Sequence, residues 1–124
     1  EDYIRYSNEE KLTIIQIEDI EALEQVEEIA KLDGIDMLFF GPADFAHSLG
    51  VPTNTRDERV IQARIKVAEV ARKHGKFAGT VGGFGNLKEL YDMGYRYVNV
   101  TADVAILGNN FKTILEKCQE ALGE

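Results

Sequence analysis

The sequence predicts an α/β fold: four consecutive βα units with parallel strands, half of a (β/α)8 barrel. Three observations lead there. Short apolar runs alternate with helical periodicities four times along the chain, and no two strand-like runs meet across a hairpin turn. The first two runs each end on a carboxylate, Glu18 directly and Asp44 just past a Gly-Pro stop. Strand and helix alternating in this way imply right-handed crossovers and a parallel sheet.

The elements follow in order. Residues 1–11 are polar, with Tyr3 and Tyr6, and read as the end of a loop feeding a first strand, Leu12 to Glu18. Asp19 is placed to cap a helix in which Ile20, Leu23, Val26, Ile29 and Ala30 share a face, ending near Leu32-Asp33-Gly34. Met37 to Phe40 is apolar throughout, as a strand buried on both faces should be. Gly41-Pro42 ends that strand, and Phe45 to Leu49 read as one helical turn closed by Gly50. Val51 to Arg56 is an exposed loop.

A long helix from about Asp57 to His74 carries Val60, Ile61, Ile65, Ala68 and Ala71 as its apolar stripe, with Gly75 as its stop. Lys76 to Val81 is a third strand and runs into Gly82-Gly83-Phe84-Gly85. A short helix from about Asn86 to Met93 stops at Gly94. Tyr95 to Thr101 is a fourth strand with Tyr95, Tyr97, Asn99 and Thr101 on one side, and Asp103 to Leu122 is the last helix.

Residues 1–124 make a single domain, with no linker or low-complexity break. A closed (β/α)8 barrel takes about 250 residues. Four units would leave two strand edges and one apolar interior face uncovered, so the chain is expected to pair, with itself or with another chain. It starts at Glu1 rather than Met and is expected to be processed or a fragment. A small doubly wound sheet would need strands reordered about a switch point, of which the sequence gives no sign.

A net charge of −8 argues against nucleic acid or an anionic membrane as the main partner. One cysteine, Cys118, excludes an internal disulfide and suits a reducing, cytoplasmic setting. No run reaches the roughly 18 apolar residues of a membrane span.

Glu18 and Asp44 are the residues that point to chemistry. On neighbouring parallel strands about 4.8 Å apart, two carboxylates at the same rim can share one cation. Carboxylate, carbonyl and water ligands suit Mg²⁺ or Mn²⁺ acting as a Lewis acid on a carbonyl. The same two residues serve equally well as caps of the helices that follow. Gly79, Gly82, Gly83 and Gly85 sit where barrels bind phosphate, although a flexible or closely packed loop explains them more simply. His47 follows Asp44 by three residues and reads as solvated or ligand-facing; His74 suits a helix C-terminus, Asp103 an N-cap and Cys118 a core position.

Gln16-Ile17-Glu18, Gly41-Pro42-Ala43-Asp44-Phe45 and Ser48-Leu49-Gly50 resemble the HpcH/HpaI aldolase family. These are metal-dependent class II pyruvate aldolases of the phosphoenolpyruvate/pyruvate barrel superfamily. The resemblance continues through the long helix and the Tyr97 to Leu107 junction. It implies that Glu18 and Asp44 hold a divalent ion, Mg²⁺ or Mn²⁺. Gln16, Gly41, Pro42, Ala43 and Asp44 would then line a pocket for pyruvate or another 2-oxo acid, whose carboxylate the Ala43 and Asp44 amides receive. The implied reaction is reversible retro-aldol cleavage of a 4-hydroxy-2-oxo acid to pyruvate and an aldehyde, with the metal stabilising the pyruvate enolate. The family's acid–base histidine and an oxo-acid-binding arginine lie in the N-terminal half of its barrel, and nothing here matches those segments. The chain therefore resembles the C-terminal half only, is expected to be inactive alone, and is expected to form a homo-oligomer through the barrel-interior face and its last helix. Two alternatives stand beside this reading: a non-catalytic half-barrel assembly module, and a citrate or malyl-CoA lyase-type relative.

Overall fold

β1 (Ile14–Ile17), β2 (Met37–Phe40), β3 (Phe77–Val81) and β4 (Tyr97–Asn99) form one sheet in the order β1-β2-β3-β4, every neighbouring pair parallel. The computed structural model describes residues 1–123. Sequential order without a switch point is the half-barrel arrangement, not the doubly wound one.

Alternation along the strands divides their side chains between two faces. Ile17, Leu38, Phe40, Ala78 and Thr80 point toward the helical layer and are buried. There they meet Val60, Val67, Ala68 and Ala71 of α5 (Glu58–Lys73), the helix that crosses β2 and β3. Phe40 also stacks at a tilt on Phe45, with ring centroids 5.3 Å apart. Each buried Ile, Leu, Val or Phe in this layer contributes on the order of 1.5–3 kcal/mol by leaving water. Thr80, the polar member of this layer, donates its hydroxyl to the Phe40 carbonyl at 2.9 Å, so its burial costs no unpaired group.

The opposite, concave face carries Gln16, Phe39, Gly79 and Tyr97 in one register row and Ile14, Met37 and Phe77 in the row below. Phe77 is 56% exposed, Tyr97 51% and Ile14 45%, so this apolar face is largely uncovered. Gly79 keeps the row flat: a Cβ there would lie 2.8 Å from both Met37 Sδ and Phe39 Cδ2. α7 (Asp103–Leu122) buries no residue and shows Val104 and Phe111 to solvent.

Several expectations require correction. Residues 2–10 are not loop but α1 (Asp2–Glu10), a helix with no buried residue. Lys11 folds back beside it, its ammonium 2.6 Å from the Tyr3 hydroxyl and 4.4 Å from that ring's centroid. The helix expected from Ile20 to Ala30 is two, α2 (Ile20–Glu24) and α3 (Val26–Ala30), broken at Gln25. α4 (Pro42–Ser48) starts three residues earlier than expected, because Pro42 is pre-set for a first helical turn.

In α5 the buried stripe is Val60, Ala63, Val67, Ala68, Val70 and Ala71, while Ile61 and Ile65 lie at its margin. α6 (Leu87–Met93) ends at Gly94 as expected, with φ of +109° there. Tyr95 precedes β4 rather than opening it, and is buried rather than on the face of Tyr97. Cys118 is exposed, not core. Asp103 is the first residue of α7, after Ala102 in the cap position.

Candidate functional site

The C-terminal ends of β1 and β2 meet at Gly41. Its amide extends the ladder to the Ile17 carbonyl at 3.0 Å, which brings Glu18, the residue after β1, alongside it. A Cβ on Gly41 would lie 3.0 Å from Glu18 Cβ and 3.1 Å from Gln16 Nε2. Only a glycine lets the two strand ends close this tightly. Gln16 and Glu18 point the same way, two residues apart on one strand, and the Gln16 amide donates to Glu18 Oε2 at 2.5 Å. That bond fixes the outward side of the glutamate.

Pro42 then starts α4 at once. The first intrahelical bond there runs from Phe45 N to the Gly41 carbonyl at 3.0 Å, so the Ala43 and Asp44 amides have no helical acceptor. Gln16, Gly41, Pro42, Ala43 and Asp44 all line one cavity of about 420 Å³. Glu18 does not itself line the cavity; it lies against Gly41 and Gln16, which do. Arg56 and Arg64 border the cavity from the far side.

The capping alternative is settled for Glu18 by position: Asp19, not Glu18, caps α2, accepting from Ala22 N at 2.6 Å. Asp44 makes no side-chain cap in α4, and its carboxylate is exposed. Neither carboxylate forms an ion pair among the described residues. Asp44 makes no side-chain hydrogen bond among the described residues, and Glu18 accepts from Gln16 through Oε2; two carboxylates of this kind are donors suited to a hard divalent cation. No cluster of three or more His, Cys, Asp or Glu capable of holding a metal occurs among the described residues. Two carboxylates suit a cation only if water and substrate oxygens complete its shell, as is usual for Mg²⁺.

The glycine-rich segment has a different role. A side chain on Gly82 would collide with Leu90 and Val98, so Gly82 lets α6 close on β4. The Gly82 amide is donated to the Asn99 carbonyl and the Gly83 amide to Asn86 Oδ1, at 3.1 and 2.8 Å. Those amides are not free for a phosphate.

His47 is exposed in the last turn of α4 and does not line the cavity. His74 caps the C-terminus of α5, where its Nε2 lies 2.7 Å from Glu27 Oε2. The Glu27 carboxyl, held first by Lys73 and then by His74, is pushed down to about 2. That cluster ties α3 to α5 and stands apart from the rim.

Arg56 and Arg64 escaped the sequence reading. For Arg64 a signal was present: it sits one turn from both Val60 and Ala68, so a charge lies beside the buried stripe of a helix. Its helical turn is anchored by the Tyr95 hydroxyl, which donates to the Arg64 carbonyl at 2.7 Å. Burial raises the Tyr95 pKa, consistent with a phenol that stays a donor.

The family model for HpcH/HpaI aldolase/citrate lyase matches residues 1–109. A hydroxypyruvate/pyruvate aldolase of Paraburkholderia phytofirmans is 38% identical over 104 residues, which are 83% of this chain and 40% of that protein. A 4-hydroxy-2-oxo-heptane-1,7-dioate aldolase of Klebsiella pneumoniae is 30% identical over 114 residues, 91% of this chain and 43% of that protein. The crystal structure of an aldolase/citrate lyase family protein from Burkholderia cenocepacia superposes with a TM-score of 0.85 at 31% identity, covering 95% of this chain and 46% of that one. The chain thus spans less than half the length of these relatives.

Proposed function

This chain belongs to the HpcH/HpaI aldolase/citrate lyase family, and on that premise we propose that it carries the metal- and oxo-acid-binding half of a pyruvate aldolase-type lyase. The observation that carries the reading is one cavity lined by Gln16, Asp44 and the turn whose Ala43 and Asp44 amides lack helical acceptors, with Glu18 held beside it by Gln16.

In this reading Glu18 and Asp44 hold a divalent cation, Mg²⁺ or Mn²⁺, whose chemistry is to polarise the 2-oxo group of the substrate. The Ala43 and Asp44 amides receive the substrate carboxylate, and Pro42, which lacks an N–H, leaves them as the first donors of the turn. Gln16 orients Glu18 and borders the same pocket. Gly41 keeps the two strand ends in contact. The reaction is reversible cleavage of a 4-hydroxy-2-oxo acid to pyruvate and an aldehyde.

The proton-transfer groups are not among these residues. His47 lies off the cavity and His74 is engaged with Glu27. We therefore read the chain as the C-terminal half of the barrel, inactive on its own and completed by a surface that covers the concave face and α7, with a further copy of the chain as the expected partner.

The test is activity in a protein containing the whole barrel. Glu18→Gln and Asp44→Asn should each lower kcat/KM by about a hundredfold or more, as removal of a metal ligand does. Activity that survives both substitutions removes the metal assignment.

A further inference from the structure

We propose that Asn86 is a specificity-determining residue of this site: its side-chain NH2 donates to the oxygen on C4 of the substrate, the one that becomes the aldehyde carbonyl. This role rests on the aldolase reading above.

Asn86 lines the same cavity as Gln16, Ala43 and Asp44, and it also borders an adjoining cavity of about 420 Å³. The proposed cation and carboxylate ligands come from the ends of β1 and β2, whereas Asn86 comes from the turn between β3 and α6. β3 is the strand next to β2, so this turn closes the cavity on the side away from β1. A 2-oxo acid anchored by its carboxylate and oxo group at the first two strands extends C3 and C4 toward that side.

The carboxamide is fixed by its own turn. The Asn86 backbone amide is donated to the Gly83 carbonyl at 3.1 Å, and Asn86 Oδ1 accepts from the Gly83 amide at 2.8 Å. A backbone N–H can only donate, so the atom facing it is the carboxamide oxygen, and the NH2 is the other branch. Asn86 holds the cap position of α6 yet makes no side-chain cap bond, because Oδ1 is spent on Gly83. Gly82 leaves room for this arrangement, since a Cβ there would lie 3.3 Å from Asn86 Oδ1.

Nδ2 is left over. It has no acceptor among the described residues, where the unpaired side-chain atoms shut off from solvent are Ser7 Oγ and Arg64 Nε; Asn86 Nδ2 is therefore open. A neutral NH2 donates and cannot accept, which suits an oxygen without a full charge: a hydroxyl in the substrate, a carbonyl in the product. Among the described residues, Gln16 and Asn86 are the two side chains lining this cavity that a hydrogen bond holds in place. Gln16 serves the metal side and Asn86 the side where the carbon–carbon bond is cut. A donor oriented before the substrate arrives gives up little freedom on binding, so a single neutral bond can discriminate.

The test is calorimetric titration of the chain with Mn²⁺ and two 2-oxo acids that differ at C4 alone. 4-Hydroxy-2-oxopentanoate, as separate enantiomers, carries a hydroxyl where 4-methyl-2-oxopentanoate carries a methyl group. The better enantiomer should bind about tenfold tighter than the methyl acid, the effect of one well-placed hydrogen bond. Asn86→Asp keeps an acceptor for the Gly83 amide and removes the donor; its charge weakens both acids alike, so the ratio is what is read. That ratio should fall close to one while the melting temperature holds. Pyruvate that binds while C4 makes no difference overturns the role of Asn86 and leaves the aldolase reading standing. So does a preference that survives Asn86→Asp, even where Asn86→Ala abolishes it, because the turn and not the donor would then be responsible. A ratio lost only together with the fold also counts against the donor. Failure of every oxo acid, pyruvate included, to bind with Mn²⁺ overturns the aldolase reading and the Asn86 role together.

Discussion

Gly41 and Glu18 stand so close that a Cβ on Gly41 would lie 3.2 Å from Glu18 Oε2 as well as against Glu18 Cβ. The backbone of Gly41, at φ −96° and ψ 89°, is one that other residues adopt, so space and not conformation demands the glycine. Gly41→Ala should therefore act on the carboxylate. We expect a stability loss of roughly 1–3 kcal/mol from overpacking, and about a tenfold loss of Mn²⁺ affinity as Glu18 is displaced. Isothermal titration and urea denaturation measure the two separately; unchanged ion affinity would detach Glu18 from the site.

Tyr95→Phe tests the anchor of Arg64. Loss of the 2.7 Å bond removes the second donor to a carbonyl in the interior of α5, at a cost of about 1 kcal/mol. For a domain of this size that lowers Tm by roughly 3–5 °C. A thermal melt that does not move would show that the hydroxyl is not needed to hold the turn.

Glu27 sets an acid limb to stability. Lys73 and His74 depress its pKa from an ordinary 4.5 to about 2. A carboxylate depressed in the folded state stabilises the fold above the unfolded pKa, and that contribution is lost as pH falls from about 4.5 to about 2. Glu27→Gln should flatten the fall in urea midpoint over that window, with high salt shrinking the difference, since the pair is partly exposed. An unchanged acid limb in the variant would show that other groups govern it.

The concave face and α7 predict association. Phe77 on the concave face is 56% exposed and Phe111 on α7 68% exposed, large apolar side chains of the kind that interfaces cover. Sedimentation velocity across a hundredfold concentration range should show growing assemblies. A stable monomer throughout would mean that this surface is not an interface.

The parts of this fold legible in the sequence were those set by local periodicity and backbone chemistry. β2 follows from the unbroken run Met37 to Phe40, and α5 from Asp57 at one end and Gly75 just past the other. α7 was read to its last residue, Leu122. Missed features depend on long-range partners. Tyr95 faces in because it packs in the core, where its hydroxyl finds the Arg64 carbonyl thirty-one residues away. Cys118 is exposed because nothing packs on α7, which its amphipathic pattern does not reveal. Gln16 and Gly41 to Asp44, expected to line one pocket, do line one cavity, because they close consecutive strands on the same side of the sheet; Glu18 lies beside that cavity rather than in its lining. Arg56 and Arg64 were not legible, since a loop and the middle of a helix reach that cavity only once the chain has folded.

The most direct test of the central claim is calorimetric titration of the chain with Mn²⁺, with and without pyruvate. We predict that metal binding tightens when the oxo acid is present and disappears in Asp44→Asn. Metal binding that is indifferent to pyruvate, or that persists unchanged in Asp44→Asn, would contradict the assignment of this rim as the metal and oxo-acid site.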